Sequence, residues 1–136
     1  MKKGEIYEGI IEKVDFPNKG YVMVEDQKVL VKNGMPGQKI RFVIQKKRSG
    51  RAQGRILEVL EKSPLEKREP VCSSFPQCGG CMYQTMSYEE QLKMKETQVK
   101  GLLQEAVGIG TDLHWEGIHG SPIEFGYRNK MEFSFG

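Results

Sequence analysis

The sequence predicts a β-rich α+β chain: a small five-stranded antiparallel barrel, a cysteine-bearing loop, one helix, and the first strands of an incomplete α+β domain. Three observations predict it. Residues 5–62 are divided into short apolar runs by turn residues, with no helical segment among them. Residues 88–107 carry the one helical pattern. All three cysteines fall within the ten residues 72–81, between the two regions.

The barrel is read strand by strand. Ile6, Ile10, Ile11 and Val14 make an apolar first strand, with Gly9 as a bend or bulge. Pro17-Asn18-Lys19-Gly20 is a turn by composition. Tyr21–Val24 and Val29–Val31 are short apolar strands on either side of Glu25-Asp26-Gln27. Met35-Pro36-Gly37 fits a type II turn, proline fixing one φ and glycine supplying the positive one. Ile40, Phe42 and Ile44 then alternate with Arg41, Val43 and Gln45, the period of two of a half-buried strand. Ser49-Gly50 turns the chain again, and a last strand covers Ala52–Leu60 with its period blurred near Gly54. Five short strands in this length suit a closed or nearly closed barrel of OB-like size.

Residues 63–71 hold two prolines and mixed charge and read as an extended linker. After the cysteine loop (72–86), Ser87-Tyr88-Glu89-Glu90 is a capping box that starts a helix near Ser87. Leu92, Val99, Leu102, Leu103 and Ala106 keep helical spacing, and Gly108 is the stop. Leu113–Ile118 is a further expected strand. Tyr127, Asn129, Met131, Phe133 and Phe135 alternate with Arg128, Lys130, Glu132 and Ser134, which predicts a long two-faced strand. Its Met131/Phe133/Phe135 face needs more core than one helix and one short strand supply. The expectation is the front part of a longer protein, with residues 87–136 the truncated start of a second domain.

Charge is unevenly placed. The whole chain has 21 Lys and Arg against 18 Asp and Glu. Residues 1–71 hold 16 basic against 10 acidic side chains, a net of +6, and the remainder 5 against 8, a net of −3. No acid occurs between Asp26 and Glu58, and the second half of that gap carries Lys39, Arg41, Lys46, Lys47, Arg48, Arg51 and Arg55. Such a cluster is the footprint of phosphate contacts; the alternative is a solvated surface that blunts edge strands. Arg128 and Lys130 are a second, smaller basic pair. No apolar run reaches membrane-spanning length, and Met1-Lys2-Lys3-Gly4-Glu5 lacks the apolar core of a signal peptide. The expected compartment is the reducing cytoplasm, with no membrane association and no protein partner indicated.

Cys72, Cys78 and Cys81 form C-x5-C-x2-C, with Gly79-Gly80 inside the closer pair and Gln84 just beyond. Glycine lets the backbone wrap two thiolates around one centre. Three soft ligands suit an iron–sulfur cluster or zinc, both of which take four. No fourth cysteine is present. His114 and His119 lack finger-like spacing to Cys81. Unliganded thiols, or one disulfide with a leftover cysteine, are the plainer alternatives.

Together these residues resemble the N-terminal part of the RNA (uracil-C5)-methyltransferases that act on ribosomal or transfer RNA. Residues 1–62 look like their TRAM domain, an RNA-binding barrel. Cys72-x5-Cys78-Gly-Gly-Cys81-x-x-Gln84 looks like their iron–sulfur motif, and Gln91-Leu92-x-x-Lys95 and Tyr127-Arg128-Asn129-Lys130 fit the pattern after it. The resemblance implies a [4Fe-4S] cluster held by Cys72, Cys78, Cys81 and a fourth cysteine further along. It also implies a separate domain that binds S-adenosylmethionine and supplies the nucleophilic cysteine and the base. No catalytic residue is then expected among residues 1–136. A free-standing zinc- or cluster-bearing RNA-binding module is the competing reading. A radical S-adenosylmethionine enzyme is disfavoured by its C-x3-C-x2-C spacing, and a ferredoxin by its tighter run.

Overall fold

The computed structural model describes residues 1–78, 80–108 and 114–136. Six strands precede one helix: β1 (Ile6–Ile10), β2 (Lys13–Asp15), β3 (Lys19–Val24), β4 (Gln27–Lys32), β5 (Lys39–Arg48), β6 (Arg51–Glu61) and α1 (Tyr88–Val107). They form one sheet in the order β1-β5-β6-β4-β3-β2. Every pairing is antiparallel except β4 with β6.

The predicted first strand is two strands. β1 pairs with β5 and β2 pairs with β3, so one bent segment supplies both ends of the sheet. The bend lies at Ile11-Glu12. The Ile11 N–H donates to the Gln38 carbonyl at 2.9 Å, while the next N–H, that of Glu12, donates to Tyr21 on the other side at 3.0 Å. No ladder joins β1 to β2, so the sheet is barrel-like and not closed.

Gly9 explains itself by packing. A Cβ there would stand 2.4 Å from Val22 Cγ1, because β1 lies directly against β3. Gly54 is similar: its Cβ would meet the Phe42 ring at 2.8 Å. Around these close approaches sit Ile11, Val22, Val29, Val31, Ile40, Phe42 and Ile44, the inward side chains of the alternating runs. Both short hairpins put two successive residues at positive φ, Glu25-Asp26 and Ser49-Gly50. That mirror-image turn matches the twist of the strands it joins. At Met35-Pro36-Gly37 the Gln38 N–H closes onto Met35 O at 3.2 Å, with Gly37 at φ 89°, as the type II reading requires.

Residues 63–68 do more than span a gap. Ser63 is buried and its hydroxyl donates to Pro36 O. Glu66 caps the Ser63 N–H at 2.7 Å and accepts from the Thr85 hydroxyl at 2.9 Å. A second small core of Met35, Tyr83 and Met86, with Leu65 and Met94 against it, ties the barrel to the segment after the cysteines.

Helix α1 begins where the capping box places it. Ser87 Oγ accepts from the Glu90 N–H at 3.4 Å. The Glu90 carboxylate faces Lys67 and Lys93, at 3.8 and 3.9 Å, instead of returning to the Ser87 backbone. Gly108 closes the helix with an N–H to Gln104 O at 2.9 Å.

Residues 114–136 contain neither strand nor helix. This corrects the strand expected over Tyr127–Phe135. Leu113, the start of the other expected strand, lies outside the described residues, and 114–118 carry no strand. The physical reason is on the surface: Phe133 is 75% exposed and Phe135 fully exposed. Among the described residues, no strand edge pairs with this segment and no core receives its apolar face. Alternation is then a pattern without the partner that would make it a strand.

Candidate nucleic-acid interface and cysteine loop

The β5–β6 hairpin carries the basic residues beyond the barrel core. Lys46 stands opposite Gln53, Lys47 opposite Ala52, and Arg48 opposite Arg51, with Ser49-Gly50 at the tip. Lys46, Lys47, Arg48 and Arg51 are all exposed. The Lys47 ammonium also donates to Met1 O at 3.0 Å, which tethers the N-terminus to the hairpin. Three register shifts interrupt the β5–β6 pairing, at Lys39/Ile40, Arg41/Phe42 and Ile44/Lys46. Such bulges re-aim side chains at a strand surface. Arg55, also exposed, follows on β6 opposite Val43.

Arg41 is placed differently. It stands between Glu8 on β1 and Glu58 on β6, directly across both strands. Its guanidinium meets Glu8 at 2.8 Å and Glu58 at 2.9 Å. The hydrogen bond and charge of Glu8 hold the guanidinium protonated even more firmly than usual. Lys39 is half-buried at the same end of β5. The acid-free stretch of the sequence is therefore not acid-free in space. The concentrated cations are those of the hairpin tip, with Arg55 beside them.

The cysteine loop faces β6 across a cleft. Cys72, Cys78 and Cys81 are free and exposed. The loop is braced from within: Phe75 N–H donates to Cys72 O at 3.2 Å and Cys78 N–H to Ser74 O at 2.8 Å. The side-chain carbonyl of buried Gln84 accepts the Cys72 N–H at 2.8 Å. Arg128 reaches the loop from the C-terminal segment and donates to Gly80 O at 3.4 Å. Lys130 is 3.3 Å from Glu132. Among the described residues, no group of three or more His, Cys, Asp or Glu is arranged to hold a metal ion. The thiols suit an iron–sulfur cluster in kind, as soft donors on one loop.

Between β6 and the loop lies a cleft of about 800 Å³. Its walls include Gln53, Arg55 and Leu57 from β6, Phe75 and Met82 from the loop, and the residues Cys78 and Cys81. Nothing in the linear sequence marks this cleft. Its apolar residues come from two separate segments, and neither segment alone shows a patch.

Among the described residues, no helix is long and apolar enough to cross a membrane.

No family model matches the chain. Curated relatives do, along its whole length. It is 46% identical over all 136 residues to an uncharacterized RNA methyltransferase of Caldanaerobacter subterraneus, of which it spans 30%. It is equally similar to an uncharacterized RNA methyltransferase of Clostridium tetani, spanning 29%. A more distant relative of the same name, from Porphyromonas gingivalis, is 36% identical over 82% of the chain and 24% of its own length. The chain thus spans about 30% of the length of the relatives it matches, and every described element lies inside the similarity to the first two.

Proposed function

We propose that this chain, homologous along its whole length to RNA methyltransferases, is the RNA-recognition and iron–sulfur portion of an S-adenosylmethionine-dependent RNA uracil-C5 methyltransferase, which forms 5-methyluridine in ribosomal or transfer RNA of the cytoplasm. One observation supports it above the others. A loop with three exposed thiols is seated on a barrel whose neighbouring hairpin presents Lys46, Lys47, Arg48 and Arg51. The hairpin holds phosphates and so positions RNA without reading its bases. The loop provides Cys72, Cys78 and Cys81 to a [4Fe-4S] cluster whose fourth ligand comes from elsewhere in the enzyme. Methyl donor, nucleophile and base likewise belong to the remainder of the enzyme, where the target uracil is flipped out for reaction.

The test is nucleoside analysis of ribosomal and transfer RNA from cells lacking the gene. Loss of 5-methyluridine at one site is expected, and an unchanged 5-methyluridine content would overturn the reading. Anaerobic iron and sulfide analysis of the full-length protein is expected to give four of each per chain if the cluster is the [4Fe-4S] type. Stoichiometric zinc without iron would replace the cluster by a zinc site.

A further inference from the structure

We infer that the cleft between β6 and the cysteine loop is a slot for one unstacked base of single-stranded RNA, entered from the hairpin tip. The inference rests on the RNA reading above and adds a place and a mode of binding to it.

Three observations converge. The first is size: about 800 Å³ lies within the usual range of ligand clefts. The second is the character of the walls. Leu57 and Met82 are each 43% exposed and line the same cleft from β6 and from the loop, as does Phe75 of the loop. Scattered exposed apolar side chains need no explanation, whereas a set gathered from two segments into one cleft does. Leu57 is the extra residue where the register steps from Phe42–Ile56 to Arg41–Glu58, so a bulge delivers it to the cleft. The third is polarity at the edges. The amide of Gln53 and the guanidinium of Arg55 stand on the same wall. Together with Arg51 they alternate along one face of β6, from the hairpin tip inward.

A nucleobase matches this set. Its faces are apolar and stack on aromatic or aliphatic side chains, its edges exchange hydrogen bonds with amides, and its phosphate needs a cation. The carboxylates on the same walls do not oppose it equally. Of the three, Glu58 is engaged by Arg41 at 2.9 Å and Glu66 by the Thr85 hydroxyl at 2.9 Å, which leaves Glu69 as the carboxylate a phosphate must avoid.

The experiment measures binding of a short oligouridine by the protein at several salt concentrations. Phe75→Ala and Leu57→Ala remove the two walls separately, so a folding defect in the loop variant does not decide the outcome. Each is expected to weaken binding about tenfold, within the range for losing one base stack, and to leave the log–log salt slope unchanged. An oligonucleotide carrying 4-thiouridine should crosslink to residues 51–59 or 72–82. If both variants bind as the parent does while removal of the tip cations weakens binding, the slot is overturned and the RNA reading stands. If the protein binds no RNA at low salt, the RNA reading itself falls.

Discussion

Gln84 holds Cys72 from twelve residues away: its side-chain carbonyl accepts the Cys72 N–H at 2.8 Å. The same residue's backbone carbonyl accepts from Arg68 Nε at 2.8 Å. Gln84 is buried, so it is fixed before it fixes anything else. One amide thereby ties the first cysteine of the loop to the segment that follows the last.

Replacing Gln84 by Ala leaves the Cys72 N–H without its acceptor. The expected cost is about 0.5–1.5 kcal/mol, that of one hydrogen bond, because Cys72 is exposed and water can take the acceptor's place. Hydrogen exchange at the Cys72 amide should accelerate, and the three thiols should react faster with a maleimide. Gln84→Glu keeps an oxygen at the acceptor position and should restore most of the protection. Equal exchange in parent and Gln84→Ala would show that the bond does not order the loop.

Arg41 is expected to be structural. Arg41→Met removes the bridge between Glu8 on β1 and Glu58 on β6. All three side chains are well exposed, so the loss in thermal midpoint should be small and should shrink as salt rises. RNA affinity should be unchanged. A drop in affinity comparable to that from the hairpin-tip cations would make Arg41 an RNA contact after all.

That distinction marks the boundary of what the sequence shows. The alternation of Ile40, Phe42 and Ile44, the turn residues at Glu25-Asp26 and Ser49-Gly50, and the Ser87 cap are local signals, and each appears as an element at its place. The bend at Ile11-Glu12 is not local. Its neighbours are Gln38, just before β5, and Tyr21 on β3, and only their positions split one apolar run into two strands. The parallel pairing of β4 with β6 is likewise a property of the curled sheet. The charge gap is similar: linear spacing does not show that Glu8 and Glu58 flank Arg41. Residues 127–135 show the converse, a clear period whose fulfilment needs a partner surface. For the site, the cysteines and basic residues were legible by type. The cleft was not, because Leu57, Phe75 and Met82 become one feature only after folding.

Tyr83 makes stability sensitive to alkali. Burial pushes its phenol up to about 12, and its hydroxyl donates to Pro17 O at 3.3 Å. The folded chain therefore keeps a proton that the unfolded chain gives up near the ordinary value of about 10. Stability from this group is complete below about pH 10 and falls as pH rises from there toward about 12. Tyr7 titrates in the same direction, held up chiefly by its hydrogen bond to the Glu5 carboxylate. Tyr83→Phe should lower stability at neutral pH by the lost hydrogen bond and flatten part of the alkaline fall. Denaturant midpoints measured across that window check both effects. An equally steep fall in Tyr83→Phe would assign the sensitivity to other groups.

The hairpin tip should carry the salt dependence of RNA binding. Lys46, Lys47, Arg48 and Arg51 occupy paired positions across β5 and β6, on either side of Ser49-Gly50, and all are exposed. Cations crowded on one tip repel each other, and a polyanion relieves that repulsion while releasing its own counterions. For single-stranded RNA the expected log–log slope is about −0.7 per phosphate contact, so four contacts give about −3. Substituting all four by Ala should remove most of that slope and weaken every RNA sequence alike, because phosphate contacts carry no base information. The barrel should keep its stability, since none of the four belongs to its core. If the slope and affinity survive the substitution, the tip is a solvated surface. The phosphate contacts would then lie around Arg128 and Lys130, where Arg128 already reaches the cysteine loop at Gly80.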